Sequence, residues 1–150
     1  MAPVEGLVEQ RHPSLRRALE LLEKVRAEAD TRSLSLATGV VDAGGHVIAS
    51  QRMDGSALGA MRLAIGKAYT AALWGTRTGY FMESTQPGGD DWGWNTTDER
   101  IVVYAGGVPL YADGQLVGAV GASGGTAAED EECVSAAAVS VGFAVEPSGA

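Results

Sequence analysis

The longest helical pattern lies in the middle of the chain, between Asp54 and Gly75. At 3.6 residues per turn this segment carries two small or apolar stripes, and a helix of that kind is normally covered on both sides. The stripe expected to face the core comprises Leu58, Met61, Ile65, Ala68 and Ala72. The second stripe comprises Ala60, Ala64, Lys67, Ala71 and Trp74. We predict a central helix that is capped by Asp54 or Ser56 and ended by Gly75.

Two further helices are predicted near the ends of the chain. An apolar stripe over residues 13–30 predicts the first helix, with His12 or Ser14 as its N-terminal cap. Thr126 and Glu129 have the spacing of a capping box, in which each side chain accepts from the backbone N–H of the other residue. We therefore expect the last helix to begin at this point.

Two β-hairpins are predicted between these helices. Alternating apolar positions flank the turn residues 42–45, and a second alternating pair is joined by Asp113-Gly114, a strong two-residue turn signal. Gly118 and Gly121 in the last strand indicate that another backbone approaches closely there. The alanine stripe of the central helix is the segment that we expect to make this approach.

The region between the central helix and the second hairpin has weaker patterns. Residues 76–84 predict a short helix, and residues 86–100 form the longest loop, which holds two of the three tryptophans. Ile101–Tyr104 predicts a short strand. Hairpins separated by helices are typical of the α+β class, with helices packed on an antiparallel sheet.

Length and composition limit the classes of function. A chain of 150 residues is expected to form a single domain, with a core over about 13–142 and a flexible arm and tail. The net charge of −8, without any run of Lys or Arg, argues against nucleic acid and anionic membranes as partners. The lone Cys133 excludes an internal disulfide, and no signal peptide or membrane-spanning pattern occurs. We expect a cytoplasmic protein.

Five sequence stretches, taken in order, resemble one known family. They are Val41-Asp42-Ala43-Gly44-Gly45-His46, Arg52-Met53-Asp54-Gly55, Gly66-Lys67-Ala68-Tyr69-Thr70-Ala71, Gly106-Gly107-Val108-Pro109-Leu110 and the stretch 113–125, DGQLVGAVGASGG. Together they resemble the GlcG/HbpS family, the heme-degrading-like domain that is also found at the C-terminus of PduO-type proteins. The resemblance covers about residues 13–142.

The resemblance implies a profilin-like α+β fold with a five-stranded antiparallel sheet and flanking helices. It also implies homo-oligomers, from dimers to octamers, and non-covalent binding of heme or a related planar ligand in some members. Two features depart from the family pattern: Ala105 replaces the first of three glycines, and the loop over residues 90–95 is not typical.

Lys67 is the first candidate for function, because a cation at the centre of a small-residue stripe needs a partner. Its ammonium group is suited to pair with a ligand carboxylate or to act as a base. The alternative is an ion pair with an acidic residue across a subunit contact. Both interpretations stay open at this point.

His12 and His46 are the only histidines, so either is a candidate axial ligand for heme iron. The alternatives are a helix cap for His12 and a solvated turn residue for His46. A metal centre built from several histidines is excluded by their number, and covalent heme attachment lacks its cysteine motif.

The loop at residues 90–95 supplies the remaining candidates for a pocket. Asp90 and Asp91 are candidate acid or base groups, and Trp92, Trp94 and Asn95 are candidate contacts of a flat ligand. The alternative is an aromatic anchor at a subunit interface. A weaker set of candidates comprises Tyr69, Arg77, Glu83 and Tyr104.

Three hypotheses follow. The first is an oligomeric protein that binds a small planar ligand, heme by default. The second is a cofactor-independent enzyme, of the isomerase, cyclase or dehydratase type, that uses Lys67, Asp90 or Asp91, Tyr69 and Arg77. The third is a structural module that binds no small molecule.

Overall fold

A four-stranded antiparallel sheet lies between two layers of helix in the computed structural model, which describes residues 1–149. The strands are β1 (Ala37–Asp42), β2 (Val47–Arg52), β3 (Gly107–Ala112) and β4 (Gln115–Ser123), in the spatial order β2-β1-β4-β3. The helices are α1 (Leu15–Thr31), α2 (Ala60–Trp74), the short α3 (Phe81–Ser84) and α4 (Ala127–Ser140). The α+β class and the antiparallel sheet are therefore confirmed.

The helices α1 and α4 pack together on one face of the sheet and α2 packs on the other. The main core lies under α1 and α4 and is built mainly from Leu, Val and Ala side chains of both helices and of β1, β3 and β4, with the partly buried Ile48 and Ala49 of β2 packed against it. Both faces of β1 are covered, so its first five residues are buried. No helix within residues 1–149 is long and apolar enough to cross a membrane.

Local sequence signals account for the ends of most elements. Ser14 caps α1, and Thr126 and Glu129 form the predicted capping box of α4. Gly75 ends α2 in the left-handed conformation, with φ 62°. Asp113 and Gly114 both have positive φ, as the two-residue hairpin turn requires.

The close approach of α2 to the sheet depends on Gly121. A Cβ atom built there would lie 2.3 Å from the carbonyl oxygen of Ala64 and 2.6 Å from the amide nitrogen of Ala68. The approach of the alanine stripe is thus confirmed at Gly121. Gly118 instead faces its strand neighbour, since a Cβ there would meet the carbonyl oxygen of Val41 at 2.3 Å.

The predicted strand at Ile101–Tyr104, and with it the five-stranded sheet, is wrong. This segment crosses the outer side of α2 and does not join the sheet. The reason is that the N–H of Val102 donates to the Thr70 hydroxyl at 2.9 Å, so a helix side chain replaces the neighbouring strand as its partner. The outer edge of β3 pairs with Ala144.

The predicted start of α2 at Asp54 or Ser56 is also wrong. The helix begins at Ala60 after Gly59, which makes no side-chain capping bond. Gly55 has a φ of 88°, so the chain cannot be helical there. Leu58 consequently precedes the helix and is exposed, although the pattern placed it in the core.

The tail after α4 runs beside β3. Phe143 is buried, and Ala144 exchanges two backbone hydrogen bonds with Tyr111, at 2.8 and 3.0 Å. The last residue of the predicted flexible tail, Ala150, lies outside the described residues.

Gly121→Ala is expected to lower the free energy of unfolding by about 1–3 kcal/mol, because the new methyl group would force α2 away from the sheet. Gly59→Ala is the matched control, since nothing lies within 4 Å of a Cβ at that position. The control should change stability by less than about 0.5 kcal/mol. Urea denaturation of both variants checks this, and equal stabilities would contradict the close contact.

Candidate functional site

A cavity of about 550 Å³ lies over the outer side of α2. Its walls are mainly apolar, with Leu63 and Ile65 from the helix and Ile101, Val102 and Val103 from the crossing segment. Its polar lining residues include Arg62, Tyr69, Asn95, Glu99, Arg100 and Tyr104. An apolar cavity with a few polar groups at its rim is the usual form of a small-molecule site.

The crossing segment is held on α2 by two features of the helix. Gly66 leaves room for it, since a Cβ there would lie 2.4 Å from Val102. Thr70 then binds it, because its hydroxyl donates to the carbonyl of Gly66 at 2.8 Å and accepts from the N–H of Val102. The inner wall of the cavity is therefore set by residues of α2 itself.

Tyr69, Asp98 and Arg100 form a hydrogen-bonded cluster beside the cavity. The phenol of Tyr69 donates to Asp98 Oδ2 at 2.5 Å, and Arg100 donates to the same carboxylate through Nε at 3.1 Å and Nη2 at 3.0 Å. The Arg100 guanidinium also lies 4.3 Å from the centre of the Tyr69 ring. The β1–β2 turn closes over this ring at Gly45.

These contacts shift the ionisation of the cluster. The hydrogen bonds from Arg100 and then Tyr69 hold the pKa of Asp98 far below its ordinary range. Burial, and then the bond to Asp98, raises the pKa of the Tyr69 phenol. At neutral pH the cluster therefore holds a carboxylate, a neutral phenol and a guanidinium.

Lys67 lies on the other side of α2, within the protein. Its ammonium group donates to Asp130 Oδ2 at 3.0 Å and to the carbonyl of Ala122 at 2.9 Å. The side chains of Lys67 and Asp130 are only 4% and 2% exposed. The partner that the sequence required is thus a residue of the same chain, and Lys67 does not line the cavity over α2.

Arg77 lies in a separate groove of about 1230 Å³ near the C-terminal end of α2. Its guanidinium pairs with Glu131 at 2.9 Å and Glu146 at 3.1 Å and also donates to Ser135 at 3.2 Å. Two carboxylates therefore already compensate the charge of Arg77.

Each histidine contacts the β1–β2 turn, at residues 42–46. His46 Nδ1 lies 3.1 Å from Asp42 Oδ1, and His12 Nδ1 accepts from the N–H of Ala43 at 3.3 Å. The side chain of His46 is 82% exposed. Only Gly45 of this turn lines the cavity.

In the loop at residues 90–95, some side chains pack against the protein and others are exposed to solvent. Trp94 stacks on Phe81 with ring centres 4.6 Å apart and meets Trp74 edge-on at 5.3 Å. Trp92 is exposed, and Asp90 and Asp91 do not line either space. Asn95 is the loop residue that reaches the cavity.

The structure thus brings Tyr69, Asn95 and Tyr104 together at one cavity and leaves the other candidates apart. Glu83 is exposed and lines neither space. The sequence reasoning missed Arg62, Asp98 and Arg100. The sequence feature that could have indicated Asp98 and Arg100 is the run of charged residues at 98–100. Arg62 could have been noticed as the second cation of α2, beside Lys67. Within residues 1–149 no three His, Cys, Asp or Glu side chains are grouped to hold a metal ion.

Residues 14–139 match the family model described as "Haem degrading protein HbpS-like". This match covers most of the chain. The chain belongs to the HbpS-like family. The resemblance inferred from the five sequence stretches is therefore confirmed.

Two individual proteins are similar to this chain along most of their length. An uncharacterised 15.0 kDa protein from the dhaT-dhaS intergenic region of Citrobacter freundii is 35% identical over 118 residues, which are 78% of this chain and 83% of the relative. Protein GlcG of Escherichia coli K12 is 38% identical over 96 residues, 64% of this chain and 69% of GlcG.

This chain is also similar to a protein whose structure was solved as a heme complex. The crystal structure of the PduOC:heme complex superimposes with a TM-score of 0.85 at 26% sequence identity, covering 90% of this chain and 99% of that chain. The four strands and three main helices described above are therefore arranged as in that protein.

Lys67→Met is expected to lower the free energy of unfolding by about 3–5 kcal/mol, because Asp130 is left buried without its cation. Adding Asp130→Asn should recover part of this loss, since the amide oxygen can still accept from the N–H of Gly125, as Asp130 Oδ1 does at 2.8 Å. Urea denaturation measures both. A Lys67→Met protein as stable as the parent would contradict the buried ion pair.

Asp98→Asn is expected to lower the pKa of the Tyr69 phenol, because the carboxylate that accepts its proton is replaced by a neutral amide. Ultraviolet difference titration measures this, and Tyr69→Phe assigns the step. Tyr111, whose pKa is raised by burial alone, is the internal control and should not shift. An unchanged Tyr69 titration in Asp98→Asn would contradict the coupling.

Proposed function

We propose that this chain binds a small organic molecule in the cavity over α2, with heme as the first ligand to test. The observation that carries the proposal is the combination of an apolar wall, two tyrosines and two arginines around one space of about 550 Å³. Support comes from the family and from the similar PduOC protein, whose structure was solved as a heme complex.

The lining residues suit the chemistry of heme. Ile65, Val102 and Val103 offer an apolar surface for the macrocycle, and Arg62 and Arg100 at the rim are suited to its propionates. The β1–β2 turn brings His46 and His12 to the region beside Gly45, so either histidine remains the proposed axial ligand.

The proposal includes a homo-oligomer of two to eight copies. Leu63 and Tyr104 line the cavity and are 41% and 56% exposed, and Leu73 and Trp74 on the same helix are also exposed. Exposed apolar side chains beside a cavity are suited to burial by a second copy, which would complete the site. A cytoplasmic location, which the single buried Cys133 fits, belongs to the same proposal.

The enzyme hypothesis has less support from the geometry. Of its five residues, Tyr69 lines the cavity, Arg77 lies in the second groove and Lys67 is buried with Asp130. The two aspartates lie in the loop at residues 90–95 and line neither space. Acid–base catalysis requires such groups within reach of one substrate. A binding function requires only the cavity and its rim, so we prefer it.

Titration of the purified protein with hemin should shift the Soret band and saturate. Val103→Trp, which fills the cavity, is expected to weaken hemin binding at least about tenfold, since a bulky ring would occupy the space of the ligand. Val139→Trp is the matched control, because Val139 is exposed on α4, on the other face of the sheet, and does not line the cavity. Circular dichroism verifies that both variants fold.

The histidines are tested in the same titration. His46→Ala or His12→Ala should alter the position of the Soret band if that side chain ligates the iron. A parent protein that gives no Soret shift would reject heme as the ligand. Equal binding by Val103→Trp and the parent would reject the cavity as the site.

A further inference from the structure

Three cations lie on or over α2, and the structure compensates two of them. Lys67 is buried and pairs with Asp130. Arg100 binds Asp98 through two nitrogens and also lies in the field of Glu99. For Arg62, by contrast, no carboxylate of residues 1–149 lies within ion-pair distance. Arg62 is therefore the cation of α2 whose charge is not compensated by a carboxylate of the described residues.

Arg62 is also placed where a ligand would meet it. It lines the cavity next to Leu63 and close to the apolar side chain of Ile65, and it is exposed. Asn95, across the same cavity, is half-buried, and its side-chain amide makes no hydrogen bond within the described part of the chain. The cavity therefore offers one guanidinium and one amide that have no partner among residues 1–149, beside an apolar wall.

The other two cations are already engaged by carboxylates of the chain. Arg100 already donates to Asp98 through Nε and Nη2, so its charge is largely compensated by that carboxylate. Lys67 lies against the sheet, on the other side of the helix. Arg62 can therefore bind an anionic group that enters the cavity without breaking an existing ion pair.

We propose that Arg62 is the anion-binding residue of this cavity, and that its ligands are apolar ring molecules that carry a carboxylate. The guanidinium fork matches the two oxygens of a carboxylate, while the apolar wall takes the rings. This inference rests on the cavity proposed above as the binding site. It adds the class of ligand and the residue that selects it, and it does not require that the ligand is heme.

The test uses two fluorescent probes that share one flat ring system. Pyrenebutyrate carries a carboxylate, and pyrenebutanol carries a hydroxyl group in its place. Arg62→Gln is expected to raise the Kd of pyrenebutyrate about tenfold, the typical loss for a charge-assisted hydrogen-bonded pair, and to change the Kd of pyrenebutanol less than about twofold. Arg62→Lys keeps the positive charge but lacks the two-pronged guanidinium. Its Kd for pyrenebutyrate should lie between the values of the parent and of Arg62→Gln.

Arg26→Gln is the matched control. Arg26 is exposed on α1, on the opposite side of the sheet, so this variant makes the same change in net charge far from the cavity. It should leave the Kd of both probes unchanged. An equal loss of pyrenebutyrate binding in Arg26→Gln would show that net charge alone acts, and it would overturn the role of Arg62.

The remaining outcomes separate the inference from the proposed function. If Val103→Trp abolishes binding of both probes while Arg62→Gln affects both equally or neither, the cavity is the site but Arg62 does not select the anion. If Val103→Trp leaves both probes bound as before, the cavity is not the site and both proposals are wrong. If the parent binds neither probe, the ligand class inferred for Arg62 is wrong, while the hemin titration still decides the proposed function.

Discussion

The contact between α2 and the sheet is made mainly by glycines and alanines, and the rest of the molecule is arranged around it. Gly39, Gly107 and Gly121 on the strands face Ile65, Lys67 and the backbone of Ala64. A Cβ atom at Gly107 would lie 2.4 Å from the carbonyl oxygen of Lys67. Because the two backbones are so close, the side of α2 that packs on the sheet presents mainly alanines, including Ala64, Ala68 and Ala71.

The short distance also explains the buried ion pair. Lys67 reaches past Gly106 to Asp130 at the start of α4, which packs on the other face of the sheet. The cost of burying both charges is offset by their mutual attraction, by the carbonyl of Ala122 and by the N–H of Gly125. The pair thereby connects the helix layers on the two faces, and its role in this structure is to hold them together.

The side of α2 turned away from the sheet carries the residues with functional potential. Arg62 and Tyr69 project from it, and the segment after residue 98 covers part of it because Gly66 leaves room and Thr70 supplies a hydrogen-bond partner. In the covering segment the backbone N–H of Val102 donates to the Thr70 side chain, so the segment does not extend the sheet. A cavity remains between the two, and its polar groups come from elements that are distant in sequence.

The chain's own sequence determined the local features, and tertiary structure decided the site. The Ser14 cap, the Thr126–Glu129 capping box and the Asp113-Gly114 turn involve residues at most three positions apart, so the neighbours alone specify their hydrogen bonds. The partner of Lys67 lies 63 residues away, and the Tyr69–Asp98 bond spans 29 residues. Such contacts depend on how closely the layers pack and on which side of α2 each segment crosses, and these properties arise only when the sheet and its helices assemble.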